Sequence, residues 1–559
     1  MTFVLAAAGV GVGAGAAGAS VVAIAGGHPI GVTHVLMIVV RTLVDPGHPT
    51  RAWSSARPLP PSWILGASES GGAFVGLVLA ALPLLWRNRL HEAHRRHRVA
   101  RIRRALLRPA PERDVTGRWA LRRDLAPLRI DEPTAGRLTL GHSGRRLLAA
   151  ERRASVVVLG PSQSGKTTGL AIPAILEWHG PVVATSVKSD LVRDTLASRA
   201  AAAPAWVYDP TGATGLQRAS WSPLANCHDW RGARRTAAWL CSAARTGSGG
   251  TGDEEFWNAA AGKLLAPYLL AAARSGRDMG QVVRWIDAQE DTEVAHLLDD
   301  AGERDALSAA GASWQRDERT RSSVFTTAEM VLEAFADPLV LDSARTSAID
   351  PALLLGGGAP TLYICSPGHE QERLRPVFAT LLQTILTAAY DRSLAAGGAL
   401  DPPLLIVLDE AANIAPLRDL DTIASTAAGH GIQLVTVWQD LAQLRARYGE
   451  RASTVVNNHR AKIVLSGISD PSTLEYASRL IGDGDVRDQS ITIDPRGARS
   501  TTRAQRERRL APDAALRRIR PGEGVLVYGH LPPIRLRLRP WFADRRLQRG
   551  QRGPTAPQA

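Results

Sequence analysis

Residues 156–173 read VVVLGPSQSGKTTGLAIP. A short apolar, β-branched run predicts a strand, a glycine-bounded loop follows it, and Lys-Thr-Thr opens a helix. Gly160, Pro161, Ser162, Gln163, Ser164, Gly165, Lys166 and Thr167 match G-x-x-x-x-G-K-[ST], with Thr168 next. A strand before and a helix after are the context this motif requires, and a bare glycine turn requires neither. The backbone N–H groups of residues 162–167 can converge on phosphate oxygens, reinforced by the positive end of the following helix. In that arrangement Lys166 neutralises the β- and γ-phosphates of ATP and Thr167 ligates Mg²⁺.

Such a loop needs a partner that holds the metal and activates water. Residues 404–410, LLIVLDE, are an apolar run ending in Asp409 and Glu410. At the end of a strand, Asp409 fits the Mg²⁺ shell and Glu410 fits the base that polarises the attacking water. Many strands end in acids, so the pair gains its meaning from the loop upstream. No other chemistry has comparable support. HEQER (369–373) lacks the second histidine of a zinc helix, and Cys227, Cys241 and Cys365 are too scattered for a metal cluster or a disulfide framework. They read as small buried apolar residues in a reducing compartment.

The 559 residues exceed one ordinary core, and three or four structural units are expected. The net charge is +14, which favours polyanionic partners without choosing between nucleic acid and an anionic membrane face. Lys166, Lys188, Lys263 and Lys462 are the only lysines among 67 basic residues, so a lysine inside the glycine loop is unlike the background. Two apolar stretches, about 4–26 and 64–86, are long enough to span a bilayer. A cleaved signal peptide is the rival for the first, and its uncharged start argues against that. Residues 87–108 then hold nine arginines and one acid, Glu92. By the positive-inside rule this run is cytoplasmic, which places residues 28–63 outside. The run reads first as a topology signal with lipid contact, at about 1 kcal/mol per arginine, and second as a nucleic-acid contact.

Beyond residue 138, strand-like runs recur at 155–160, 181–186, 361–366, 404–410, 432–438 and 461–467, most alternating with helical patterns. That alternation predicts a parallel sheet covered on both faces. Residues 224–341 break it with helical pattern alone, an all-α insertion.

With these motifs placed, the chain resembles the TraG/TraD type IV coupling proteins, membrane-anchored RecA-like ATPases that deliver DNA and protein to a secretion or conjugation channel. The resemblance covers the two N-terminal spans, the loop with its following strand, the helical insertion, and the block LDEAANIAPLRDLDTIASTAAGHGIQLVTVWQDLAQLRARYG. It implies an α/β fold: a RecA-like P-loop NTPase domain with an all-α insertion, preceded by two transmembrane helices. The expected organisation is a transmembrane hairpin (1–86), a basic juxtamembrane linker (87–137), the first part of the ATPase domain (138–223), the insertion (224–341), the second part (342–545) and a disordered tail (546–559). The resemblance also implies a catalytic sensor at Gln439 beside Lys166 and Glu410, and matches at Lys188, Asp190, Gln443, Tyr448 and Gly449, with Ser189 replacing the family's glycine. Residues 405–535 resemble the segment associated with docking of relaxosome components. The implied assembly is a homo-hexamer in the bacterial cytoplasmic membrane with its ATPase domain in the cytoplasm. Its implied cargo is DNA, as a single-stranded relaxase-bound nucleoprotein handed to type IV secretion channel components. An FtsK-like duplex translocase and an ATP-switched receptor for secreted proteins are the alternatives. One departure stands out. Ala428 occupies the place of an arginine that reaches into a neighbouring subunit's site, leaving Arg451 or His430 to compensate.

Overall fold

The structure, a computed structural model, describes residues 117–187, 189–244, 252–412, 417–493 and 499–551, with scattered positions before residue 117. Nearly all of the spans 4–26 and 64–86, the arginine run 87–108, Lys188 and residues 552–559 lie outside the described residues. Among the described residues no helix is long and apolar enough to cross a membrane. The chain divides into two units, Met1–Val115 and Thr116–Ala559.

The second unit is built on a twelve-stranded mixed sheet. In chain order its strands are β1 (Arg129–Ile130), β2 (Thr139–Ser143), β3 (Arg146–Ala149), β4 (Val156–Leu159), β5 (Val182–Ser186), β6 (Ala205–Tyr208), β7 (Thr361–Cys365), β8 (Leu404–Leu408), β9 (Ile432–Trp438) and β10 (Ala461–Leu465). A separate two-stranded ribbon, β11 (Asp483–Ile493) with β12 (Arg499–Arg509), precedes the last two sheet strands, β13 (Glu523–Tyr528) and β14 (Ile534–Arg537). Seven strands, β10-β4-β9-β8-β5-β7-β6, run parallel. The remaining five, β13-β14-β2-β3-β1, extend the sheet antiparallel.

The parallel strands are near-continuous apolar runs because both of their faces are covered. In β4, Val157 and Leu159 join one core while Val156 and Val158 join the other. In β8, Leu404, Ile406 and Leu408 fall on the first side and Leu405 and Val407 on the second. Period-2 alternation thus divides one apolar run between two cores.

Between β6 and β7 the chain is helical. The main elements are α2 (Trp230–Ala244), α3 (Gly252–Arg274), α4 (Met279–Asp287), α5 (Thr292–Asp300), α6 (Arg304–Trp314) and α7 (Glu318–Leu332), numbered after α1 (Ile172–Glu177) of the loop region. Asp278 and Asp317 cap α4 and α7 by accepting from the N–H groups of Gln281 and Thr320, each at 3.0 Å. Tyr268 of α3 anchors the bundle. Its ring meets Trp285, Trp314 and Phe325 edge-on, its hydroxyl donates to the Glu290 carbonyl at 2.8 Å, and it accepts from Trp314 Nε1 at 3.0 Å. The bundle's apolar residues are continuous with the first core of the sheet.

The described elements depart from expectation at both ends. Residues 117–137, expected as the end of a linker, include β1 and belong to the second unit, where Leu125 and Leu128 are buried. A helix, Arg545–Gln551, runs into the expected disordered tail (546–559). Asp544 nucleates it by accepting from the Arg546 N–H at 3.0 Å, and Arg546 pairs with Glu132 at 2.6 Å.

Candidate functional site

The sheet topology determines which side chains meet. β9 lies between β4 and β8, so the C-terminal ends of all three strands fall side by side. Gly160 N–H donates to the Trp438 carbonyl at 3.1 Å, and Ala411 N–H donates to the Val437 carbonyl at 3.2 Å. The glycine loop, Gln439 and the Asp409–Glu410 pair therefore share one edge, as strand ends do in open α/β sheets.

The loop's conformation explains its composition. Gly165 has φ +87° and Gln163 φ +66°, and the first of these favours glycine. A Cβ on Gly160 would lie 2.7 Å from Ser164 Oγ and 3.0 Å from Leu465 Cβ, so no larger residue fits. Lys166 is almost fully buried, and its ammonium donates to the carbonyls of Gly160 at 2.6 Å and Pro161 at 2.8 Å. These bonds hold the amine across the mouth of the loop. Thr167 and Thr168 open a π-helical turn, Thr167–Ala171, that runs into α1.

Thr167 Oγ1 donates to Asp409 Oδ2 at 2.9 Å, joining the loop to the end of β8. Asp409 is buried. Burial first, then the neighbouring charge of Glu410, pushes its carboxyl up to about 6 against the opposing Thr167 bond and Lys166 charge. Its Oδ1 atom has no hydrogen-bond partner among the described residues, and neither has the buried Ser164 Oγ. Unsatisfied buried oxygens beside a threonine hydroxyl and a lysine are the donor set an oxygen-coordinated Mg²⁺ and a phosphate would complete. The residues fit both groups.

Glu410 follows at φ +61°, in the left-handed region that a glutamate rarely occupies. Backbone strain of this kind costs on the order of 1–3 kcal/mol and clusters where a side chain must be aimed. Gln439 is half-buried, and its N–H donates to Gln443 Oε1 at 3.0 Å. Asp440 caps α10 (Leu441–Tyr448, numbered after α8, Gln371–Ala395, and α9, Leu420–Thr426) by accepting from Gln443 N–H at 2.8 Å. Tyr448 is buried and donates to the Leu417 carbonyl at 2.9 Å, and Gly449 has φ +55°. Behind β9, His459 is fully buried between Thr436 Oγ1 at 3.2 Å and the Val455 carbonyl at 2.7 Å. Asp190 caps its own turn at Leu191 N–H, 2.9 Å.

The two residues expected to compensate for Ala428 are both engaged. Arg451 is half-exposed and contacts Asp421 at 3.3 Å and Asp419 at 3.9 Å. His430 Nδ1 meets Ser393 Oγ at 3.0 Å, with the ring edge-on to Tyr390.

Sequence reading missed a brace on the far side of the loop. Leu538 packs against the loop helix, where a Cβ on Gly169 would lie 2.8 Å from Leu538 Cβ. Arg539 N–H donates to the Gly169 carbonyl at 3.3 Å, and its buried guanidinium pairs with Glu177 of α1 at 2.9 Å and Asp544 at 2.7 Å. Thr139 Oγ1 also donates to Glu177. No local pattern marks Leu538 or Arg539 as a brace, because Gly169 and Glu177 lie hundreds of residues upstream.

Residues 128–559 match the model of the family described as type IV secretory system conjugative DNA transfer. The conjugal transfer protein TraG of Escherichia coli is 26% identical over 401 residues, covering 65% of this chain and 61% of that protein. Protein VirD4 of Agrobacterium fabrum (strain C58 / ATCC 33970) is 27% identical over 432 residues, covering 73% and 61%. The chain thus spans about three fifths of the length of these relatives. Among solved structures, the unbound bacterial conjugative coupling protein TrwBdeltaN70 superposes with TM-score 0.59 at 16% identity, over 76% of this chain and 92% of that one. Plasmid coupling protein TrwB in complex with ADP and Mg²⁺ superposes with TM-score 0.58 at 17% identity, over 76% and 94%. The second unit has the TrwB-like, RecA-type fold, mixed α/β around a large parallel sheet.

Proposed function

The chain belongs to the type IV secretory system conjugative DNA transfer family, and from that membership we propose that it is a membrane-anchored ATP-hydrolysing motor that moves DNA toward a secretion channel. The observation that carries the hydrolytic part is the Thr167–Asp409 hydrogen bond, which closes the glycine loop onto an acidic strand end 242 residues away in sequence. The relative solved with ADP and Mg²⁺ supports the same pair of ligands here.

In this reading the residues divide the work. The loop amides and Lys166 hold the phosphates, and the two loop-carbonyl bonds of the lysine are exchanged for phosphate oxygens when nucleotide enters. Thr167 and Asp409 hold Mg²⁺, which when bound supplies positive charge to the β- and γ-phosphate oxygens. Glu410 takes the proton of the attacking water. Gln439, at the end of the intervening strand, is placed to sense the γ-phosphate and pass its loss to α10 through Gln443. The membrane anchor is the pair of apolar stretches near residues 4–26 and 64–86, and the ring is a homo-hexamer. The cargo is single-stranded DNA carried as a nucleoprotein.

The test is ATP turnover by the purified full chain with single-stranded DNA, duplex DNA or no DNA. Single-stranded DNA is expected to stimulate turnover several-fold more than duplex, and Lys166→Ala to abolish it. Turnover unmoved by any DNA, with wild-type hydrolysis intact, would leave the motor reading without its cargo.

A further inference from the structure

At the antiparallel end of the sheet, β1, the β2–β3 hairpin and residues 539–546 enclose a polar cavity of about 340 Å³. His142, Arg145, Arg146, Arg539, Asp544 and Arg546 line it. Its charges do not cancel. Asp131 is taken by Arg129 at 3.1 Å, Asp544 by Arg539 at 2.7 Å, and Arg546 faces Glu132 at 2.6 Å. Among the described residues, Arg146 donates to the Arg122 carbonyl at 3.0 Å and to no carboxylate, and the exposed Arg145 has no partner. Arg537, opposite His142 in the β14–β2 register, lies outside the lining but its positive charge also acts on His142. His142 records the result. Burial, then Arg539 and Arg537, hold its imidazole below the usual range, against the weaker pull of Asp544.

Arg539 links the cavity wall to the helix that follows the nucleotide loop. Arg539 is only 6% exposed, and it forms part of the cavity wall while its Nη1 lies 2.9 Å from Glu177 Oε1 of α1. Its main-chain N–H donates to the carbonyl of Gly169, within the turn that begins at Thr167. An anion in the cavity would draw this guanidinium away from Glu177.

We propose that this cavity binds a phosphate-bearing anion, presented free or as the headgroup of an anionic phospholipid, and that Arg539 couples its occupancy to the loop helix. Guanidinium pairs match phosphate oxygens bidentately, and a buried arginine in the wall supplies a donor already out of water. The volume lies at the small end of ligand pockets, which suits one phosphorylated group rather than a nucleoside triphosphate. The inference does not depend on hydrolysis.

The test follows thermal unfolding of the full chain in phosphatidylcholine nanodiscs, with saturating ADP and Mg²⁺ to occupy the nucleotide loop. Inorganic phosphate is titrated at constant ionic strength. A ligand of the folded state raises Tm with concentration above its Kd. Arg145→Glu/Arg146→Glu is expected to raise the phosphate concentration needed by at least about tenfold, and Arg145→Lys/Arg146→Lys to retain most of the response. Arg145→Gln alone, on an exposed side chain without a partner, gives the same comparison if the Glu pair does not fold. Phosphatidylglycerol nanodiscs separate the two sources. A headgroup ligand raises Tm before phosphate is added and removes the further response, whereas a free-phosphate site responds equally in both lipids. Either pattern supports the site. A Tm indifferent to phosphate and to lipid overturns it, as does a response that the Glu pair leaves intact. A response confined to single-stranded oligonucleotide also overturns it, by assigning the cavity to a nucleic-acid path.

Discussion

Glu410 shows what a single residue can reveal. Its left-handed backbone, φ +61°, is maintained although glutamate gains nothing locally from that conformation. The strain is explained if aiming the carboxylate matters more than relaxing the chain. Glu410→Gln keeps the shape and removes the base, so turnover is expected to fall about 10²–10⁴-fold while ATP affinity stays near wild type. Single-turnover hydrolysis beside equilibrium nucleotide binding checks this, and wild-type turnover in the variant would remove Glu410 from the mechanism. A histidine of the adjoining core makes a separate prediction about pH. His459 is fully buried, and burial depresses its imidazole to about 4. The unfolded chain binds that proton near pH 6.5 while the folded chain resists it until about pH 4, so its contribution to stability is present above pH 6.5 and is lost as pH falls between those values. The loss is on the order of 3 kcal/mol over that window. His459→Gln, which can still meet Thr436, is expected to flatten the pH dependence of the unfolding midpoint between pH 6.5 and 4.

At the scale of elements, the loop helix is held from two sides, and only one side is visible in the sequence. The G-x-x-x-x-G-K-T run and the LLIVLDE strand identify themselves because strand period, glycine placement and chemistry coincide within a few residues. The six parallel strands expected from the sequence all lie in the sheet, since buried parallel strands are continuous apolar runs. The antiparallel half was not legible. β1 has two residues, β3 reads RLLA and β14 reads IRLR, where half-buried Arg146 and exposed Arg535 and Arg537 interrupt the apolar signal. β6, AWVY, is a parallel strand whose first two residues are only partly buried, and the sequence reading did not single it out. The brace between Leu538 and Gly169 was equally hidden, because a helix glycine has no local signature when the atom it makes room for is remote in sequence. Gly169→Ala places a Cβ 2.8 Å from Leu538 Cβ and is expected to cost about 1–3 kcal/mol by overpacking. Leu538→Gly removes that Cβ and alone leaves a cavity. Combined, the two substitutions are expected to cost less than their sum, since each relieves the other. Denaturant unfolding of the four-member cycle checks the coupling, and strict additivity would show that the contact does not constrain the loop.

At the scale of the whole molecule, the proposed ring would complete each site with a cation from the adjacent subunit. Ala428 sits in the turn Ala427–His430 before β9, whereas Gln439 follows its last residue. Seven residues of strand separate the two ends by about 20 Å, so no side chain at position 428 or 430 reaches its own subunit's phosphates. Any action there must be on a neighbour. His430 is tied to Ser393 and Tyr390, while Arg451 rests on Asp421 at a half-exposed surface where such a pair contributes at most about 1 kcal/mol. Arg451 is therefore the side chain more readily released to an adjacent subunit, and its planar guanidinium can pair bidentately with phosphate oxygens. Arg451→Ala is expected to lower turnover strongly, toward the roughly 10³-fold or more known for trans-acting arginines, with little effect on ATP affinity. Ala428→Arg is expected to raise turnover. Mixing decides whether the action crosses the interface. Arg451→Ala subunits keep an intact loop and Lys166→Ala subunits keep an intact arginine, so a ring containing both assembles complete sites where the first accepts Arg451 from the second. Turnover should recover in mixed rings and in neither parent. If mixed rings form, as shown by co-purification of differently tagged subunits, and remain inactive, Arg451 acts within its own chain or not at all.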